Sequence, residues 1–221
     1  GGKRGATGGK GPSGTRLRVP QLSADLSTRW CSAYLKIAGA AAALRNQARF
    51  ENTRTLYISG ERGEESANRA RYKELEPHRS DLRDGRVPRH VDHWRPVLHW
   101  PEAYVWEVIS RYSVNPHPAY RLGWGRVSCS ACIFGSASQF ASLRAIHPKQ
   151  FDYIAKLEKK FGVTIKRKDS LPVLAAKGTV YPMDPADVKA ALSHTFDEPV
   201  ILPQWAWRLP RGAFGESCGP T

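Results

Sequence analysis

Cys129 and Cys132 are the most chemically pointed pair in the chain. The C-x-x-C spacing sets two soft thiolates one chelate apart, which suits an iron–sulfur cluster, a zinc ion or a redox dithiol. The chain has 4 cysteines, and the other two are Cys31, far upstream, and Cys218, close to the end. Two adjacent thiols and two distant ones can close a single four-ligand site. Cys218 has two further readings: a tail thiol whose pKa a nearby Arg62 would lower, making it a nucleophile, or a tail cysteine with neither role. Ligand and nucleophile exclude each other.

A second constellation is built for anions. Ser59-Gly60-Glu61-Arg62-Gly63-Glu64-Glu65-Ser66 follows a short apolar run and opens a polar segment. Open α/β sheets place ligands at this kind of point, beyond a strand's carboxyl end and at the start of a helix. Gly60 and Gly63 permit close backbone approach, Arg62 can pair with two oxygens of a phosphate or sulfate, and Ser66 offers one more hydrogen bond. An ordinary strand-to-helix turn with an exposed arginine is the competing reading. His117, beside the cysteine loop, is read as a loop residue or a support to the site. His90, His93 and His99 fall on alternate faces of a strand-like stretch, which argues against a shared metal.

These residues need elements to position them. The pattern predicts a glycine-rich, basic leader over 1–28 and an alanine-rich helix from Arg29 to about Arg49. It then gives a buried strand over 55–59, a polar helix over 64–75 and a strand over 92–98. Pro101 opens a helix whose apolar face is Tyr104, Val105, Val108 and Ile109. A loop over 113–136 carries the C-x-x-C. Helices follow over about 139–146 and 148–161, and Asp184-Pro185 starts another. From Ile201 the tail is irregular, and Trp205 and Trp207 are read as sharing one strand face that clamps it. Strands alternating with helices indicate an α/β fold with a mostly parallel sheet. Two strands are few for such a sheet, so an early strand–helix unit is expected to be missing from this chain.

Composition narrows the partners. In 221 residues, 34 basic against 20 acidic side chains give a net charge of +14, with a pI near 9.9. Nucleotides, nucleic acid or other polyanions are the expected partners. No apolar run approaches the ~20 residues of a membrane span, and no apolar core follows the N-terminal basic residues, so neither a membrane protein nor a secreted one is expected. A cytoplasmic, reducing location with free or metal-bound thiols follows from the few cysteines.

Four stretches in order resemble the phosphoadenosine phosphosulfate (PAPS) reductase family of the PP-loop ATP pyrophosphatase (adenine nucleotide α-hydrolase-like) superfamily. They are Arg29-Trp30-Cys31-Ser32-Ala33-Tyr34-Leu35-Lys36; Gly60-x-Arg62-x-x-x-Ser66; Arg95-Pro96-Val97 through Trp106 and Ile109 to His117-Pro118-Ala119-Tyr120; and Gly125-Arg126-Val127-Ser128-Cys129-x-x-Cys132. The resemblance implies an incomplete PP-loop-like α/β domain over 29–135, followed by a helical, irregular extension over 136–221. It implies binding of an adenine nucleotide or adenylyl sulfate by Gly60, Arg62, Ser66, Lys36 and Arg126. It further implies a [4Fe–4S] cluster, or zinc in its place, on Cys31, Cys129, Cys132 and Cys218. Gly215-Glu216-Ser217-Cys218-Gly219 resembles the family's C-terminal E-C-G, whose cysteine attacks the sulfate sulfur. A sulfur-directed oxidoreductase or an ATP-dependent sulfurtransferase is the implied enzyme, with a thiol reductant protein and a second copy of the chain, as a homodimer, among its expected partners. The family's S-G-G-x-D-S phosphate loop has no counterpart here, and the family's tandem cysteine is reduced to Cys31. Two alternatives stay open: sulfur modification of DNA or RNA on the same scaffold, and a non-catalytic nucleic-acid-binding remnant.

Overall fold

The computed structural model describes residues 18–215 except Ala24, Leu26 and Val87. Of the leader expected over 1–28, residues 1–17 lie outside the described residues, as does Cys218; in the rest of it Val19 is buried and the Gln21 N–H donates to the Thr28 carbonyl. The chain packs as two compact units that divide after Trp100.

The first unit is an α/β unit around a three-stranded sheet. The alanine-rich stretch opens as a wide helical turn over Ser32–Ile37 and tightens into α1 (Ala38–Asn46), which buries Ala41 and Leu44. Strands β1 (Arg54–Ile58), β2 (Leu75–Pro77) and β3 (His90–Trp94) lie in the order β1-β3-β2. β1 and β3 pair in parallel, from Arg54 opposite His90 to Ile58 opposite Trp94. β2 pairs antiparallel to β3, with Leu75 opposite Trp94. Val91, in the central strand, is fully buried.

Three expectations change. β1 is an edge strand with one covered face, so Leu56 and Ile58 remain 52% and 56% exposed while Thr55 and Tyr57 turn inward; the strand is not buried. The polar helix over 64–75 is replaced by two short 3-10 turns, Gly63–Glu65 and Arg69–Arg71. That stretch has no apolar stripe to bury, and helical propensity alone does not hold so short a segment. β3 starts and ends earlier than 92–98, because Pro96 has no N–H to continue a ladder and the chain turns there.

The second unit is helical. Its elements are α2 (Glu102–Arg111), α3 (Pro118–Arg121), α4 (Ala137–Ile146), α5 (Pro148–Phe161), α6 (Leu171–Ala176) and α7 (Pro185–Leu192). Pro101 is the residue before α2 rather than its first helical position, and the face over Tyr104, Val105, Val108 and Ile109 is half-buried around a buried Trp106. Caps fix the boundaries. Ser136 and Gln139 form a reciprocal capping box on α4, His147 caps α5, Gly162 ends it in a left-handed conformation, and Asp184 accepts from the Ala186 N–H ahead of α7. Phe140, Leu143, Phe151, Ile165 and Leu171 fill the core where α4, α5 and α6 meet. The buried carboxylate of Glu158 accepts the backbone N–H groups of Ile165 at 2.8 Å and Leu171 at 2.7 Å, tying down the α5–α6 connection.

The tail folds back along the segment before the cysteines. Ile201 bridges Val114, the Leu202 N–H donates to the Ser113 carbonyl, and the Gly212 N–H donates to the Tyr120 carbonyl. Trp207 donates its indole N–H to the Val114 carbonyl at 2.9 Å. Trp205 sits instead in a 3-10 turn, 79% exposed, so only one of the two tryptophans clamps. No helix among the described residues is long and apolar enough to cross a membrane.

Candidate functional site

The loop over 60–66, expected to take an anion, leaves the carboxyl end of β1. Because β1 and β3 are parallel, their carboxyl ends share one edge, and Ser59 extends the pairing by donating its N–H to the Trp94 carbonyl. A closed polar network forms there. Ser59 Oγ lies 2.7 Å from Nε2 of His93 and 3.1 Å from Oε2 of Glu61. Arg95, 5% exposed, donates to Nδ1 of His93 at 2.9 Å and to Glu61 at 2.7 Å, pairs with Glu76 at 2.8 Å, and donates to the Lys73 carbonyl at 2.7 Å.

A guanidinium only donates, so Nδ1 of His93 must accept and the ring proton sits on Nε2. The ring therefore donates to Ser59, whose own hydroxyl donates to Glu61. This arrangement stiffens the loop and leaves His93 unable to act as the base for Ser59. Burial first, and Arg95 next, push the His93 pKa below its ordinary value. Tyr57 and His78 pack against His93, with ring centroids 5.0 and 5.6 Å away.

Within the loop itself, Arg62 pairs with Glu64 at 2.8 Å and reaches the Trp100 carbonyl at 3.4 Å. The Gly63 N–H is committed to the Leu98 carbonyl at 2.8 Å, and the Ser66 hydroxyl accepts the Arg69 N–H. A side chain at Gly60 would meet open space, whereas one at Gly63 would approach the Leu98 carbonyl to 3.3 Å. Gly60, Arg62 and Ser66 thus share one loop, but no α-helix N-terminus follows it. Lys36 is exposed on the wide turn that begins beside Cys31, in the same unit.

The cysteine loop belongs to the second unit and runs from α3 to α4. Cys129 is exposed, Cys132 is half-buried, and neither is in a disulfide. A cavity of about 200 Å³ opens beside them, lined by His117, Arg126, Cys129 and Ser130 on its polar side and by residues such as Leu143 and Ile146 on its apolar side. Arg126 stacks 4.9 Å over the Phe134 ring and lines the same cavity as Cys129. Nδ1 of His117 accepts the Ala119 N–H, capping α3. Its pKa is lowered, by burial and then by Arg121, so it stays neutral. Arg121 is itself held by Asp187 at 2.7 Å and by both oxygens of Glu198, at 2.6 and 2.8 Å.

Glycines bring the tail to this loop. A Cβ on Gly125 would lie 2.5 Å from the Gly215 carbonyl oxygen, and one on Gly212 would lie 2.2 Å from the Trp124 carbonyl oxygen, so backbone rests directly on backbone. Within neither unit do three described His, Cys, Asp or Glu side chains gather as a metal set. The thiolates of Cys129 and Cys132 suit a thiophilic metal group in type, and they would supply two of its ligands.

The sequence reading missed the Ser59–Glu61–His93–Arg95 network. Ser59 and His93 are 34 positions apart, and only the parallel β1–β3 register joins them.

Residues 19–134 match the sequence profile of the phosphoadenosine phosphosulfate reductase domain. Over 77 residues the chain is 30% identical to the "uncharacterized 37.8 kDa protein in gpa 5′ region" of Escherichia phage 186, an alignment that covers 35% of this chain and 23% of that protein. No solved structure matches. The profile takes in just over half of the chain, including both the Gly60–Ser66 loop and the C-x-x-C, and the chain therefore belongs to the phosphoadenosine phosphosulfate reductase family.

Proposed function

We propose that the chain binds an adenylylated sulfate and reduces or transfers its sulfur. The observation that carries this reading is that one family match spans both the anion loop and the cysteine pair. Arg62, Ser66 and the open backbone at Gly60 hold the sulfate or phosphate, with Lys36 adding positive charge in the same unit; Arg126 adds positive charge at the cysteine loop of the second unit. The Arg95-anchored network keeps the loop in shape before the ligand arrives, so less ordering is needed on binding.

Cys129 and Cys132, with Cys31 and Cys218 as the remaining thiolates, would hold a [4Fe–4S] cluster, with zinc as the alternative. The cluster would supply an electron reservoir when bound, whereas zinc, having no redox chemistry, would act as a structural clip.

In the alternative in which Cys218 is not a ligand, its thiolate is the nucleophile and attacks the sulfate sulfur. The S–O bond to the nucleotide phosphate breaks with its electron pair leaving on the phosphate, and a cysteine S-sulfonate remains. A thiolate of a reductant protein then attacks the Cys218 sulfur, sulfite departs, and a mixed disulfide is left for the reductant's second thiol to resolve. The path of the tail supports a role for Cys218 near the cysteine pair, as ligand or as nucleophile: Gly215 touches Gly125, and Cys218 follows three positions later, within about 11 Å of chain reach.

The test is iron, acid-labile sulfide and zinc per chain on protein purified without oxygen, together with binding of adenylyl sulfate and release of sulfite. About four iron and four sulfide, lost in Cys129→Ser and Cys132→Ser, support the cluster. Retention of iron but loss of sulfite release in Cys218→Ser marks the nucleophile, and loss of iron marks the ligand. Failure to bind adenylyl sulfate sinks the proposal.

A further inference from the structure

The exposed face of α5 lies outside the family match and carries an unusual charge distribution. Positions 144–168 hold eight basic side chains and two acidic ones. One of those two, Glu158, points inward and is consumed by two backbone N–H groups, so it neutralises nothing on the surface. At 100° per residue, Lys149, Tyr153, Lys156 and Lys160 form one stripe down the helix, and the buried Phe151 and Glu158 lie on the opposite side. The stripe spans about 16 Å. All four of its residues are exposed, Tyr153 by 62%. Asp152 flanks the stripe, yet none of these three lysines has a carboxylate within ion-pair distance among the described residues. The ion-paired lysine nearby is Lys177, with Asp169. Beyond the Gly162 cap, Arg167 and Lys168 add two more exposed cations.

We infer that this face of α5 binds the phosphate backbone of nucleic acid. Lys160 lies 5.8 Å from the Phe161 ring centroid, and ammonium groups in a row with no carboxylate partner among the described residues still repel one another, a repulsion relieved by a ligand that presents negative charge at repeated spacing. Tyr153, set among the lysines, offers a ring on which an unpaired base can stack. A bilayer surface fits less well: the apolar residues of α5, Phe151, Ile154, Leu157 and Phe161, are buried or half-buried in its own unit, so no exposed apolar face is offered to the lipid boundary.

The test uses the full chain. Fluorescence anisotropy with a labelled single-stranded RNA and a labelled duplex DNA is followed from ~50 to ~200 mM salt, and flotation with phosphatidylserine vesicles is run alongside. The triple variant Lys149→Gln, Lys156→Gln, Lys160→Gln is expected to bind about tenfold or more weakly. Its log–log salt slope should be smaller by about 2–3, at 0.7–0.9 per lost phosphate contact. The matching Lys→Arg triple should restore both. Tyr153→Ala should weaken the single strand and leave the duplex unchanged. Since the substituted side chains are exposed, the melting temperature should not move. Wild-type binding that survives the triple variant overturns the assignment. So does an equal loss in a control that removes three charges at Arg54, Lys73 and Arg86, and so does capture of the vesicles without nucleic acid.

Discussion

Arg95 donates to Nδ1 of His93 at 2.9 Å, and the other ring nitrogen lies 2.7 Å from the Ser59 hydroxyl oxygen. The arginine thereby fixes the imidazole tautomer and makes the ring a donor at the mouth of the anion loop. Nitrogen chemical shifts of His93 should show a neutral ring protonated at Nε2 at pH 7. Arg95→Met should raise the His93 pKa toward its ordinary value of 6.5, because a neighbouring positive charge is removed. It should also weaken anion binding through a looser loop. A ring protonated at Nδ1 in the wild type would contradict the network.

Arg62 reaches Glu64 at 2.8 Å, so an incoming sulfate or phosphate has to displace that carboxylate. Glu64→Gln should tighten anion binding severalfold, since the competing partner loses its charge. Arg62→Ala should weaken it by about ten- to a hundredfold, from the loss of a charge-assisted contact worth roughly 1.5–3 kcal/mol. Titration calorimetry with adenylyl sulfate reads both. Unchanged affinity in Arg62→Ala would move the site off this loop.

Acid should destabilise the first unit in two windows. His78 and His93 are buried and neutral, with pKa values pushed below 6.5, so the unfolded chain takes up protons that the folded chain refuses. Stability therefore begins to fall once the pH drops below about 6.5. Asp81 is held near 2 by its hydrogen bond from Arg83 and by the Val91 N–H, against an ordinary 3.8. Its contribution is complete above 3.8 and disappears as the pH falls toward 2. Denaturant melts across pH should show both declines, and Asp81→Asn should shrink the lower one, leaving the part that Asp92 and Asp25, also lowered, contribute.

How much of this was legible follows from what each element depends on. Helix α5 was readable to the residue, because Pro148 opens it, Gly162 closes it, and its apolar and basic residues separate at helical spacing. The C-x-x-C was readable because its chemistry is local. The segment 64–75 misled because its helix formers lack anything to pack against, a property of the tertiary structure and not of the string. β2 was missed for a related reason: Leu75–Pro77 is three residues long and exists only through its pairing with β3. Arg121 with Glu198, 77 positions apart, joins α3 to the returning tail and has no local signal at all.

That last pair and Gly212 together hold the tail against the cysteine loop, and they should fail in distinguishable ways. Arg121 is tied to Asp187, Glu198 and Asn115, and its charge is partly screened at about one-quarter exposure of its side chain. Glu198→Gln should therefore cost only about 1–2 kcal/mol, discounted from the larger penalty of a fully buried broken pair. Gly212→Ala acts sterically instead: its new methyl group would lie 2.2 Å from the Trp124 carbonyl oxygen, so the backbone around 212 has to move away. That displacement takes Gly215 off Gly125 and uncovers the loop leading to Cys129. Limited proteolysis should then cut within 203–215 faster than in the wild type, and maleimide should modify Cys129 and Cys132 faster, while the melting temperature of the α4–α5–α6 core stays close to wild type. If the thiols react at the wild-type rate in Gly212→Ala, the tail does not control access to them, and its path past Gly125 loses its bearing on Cys218.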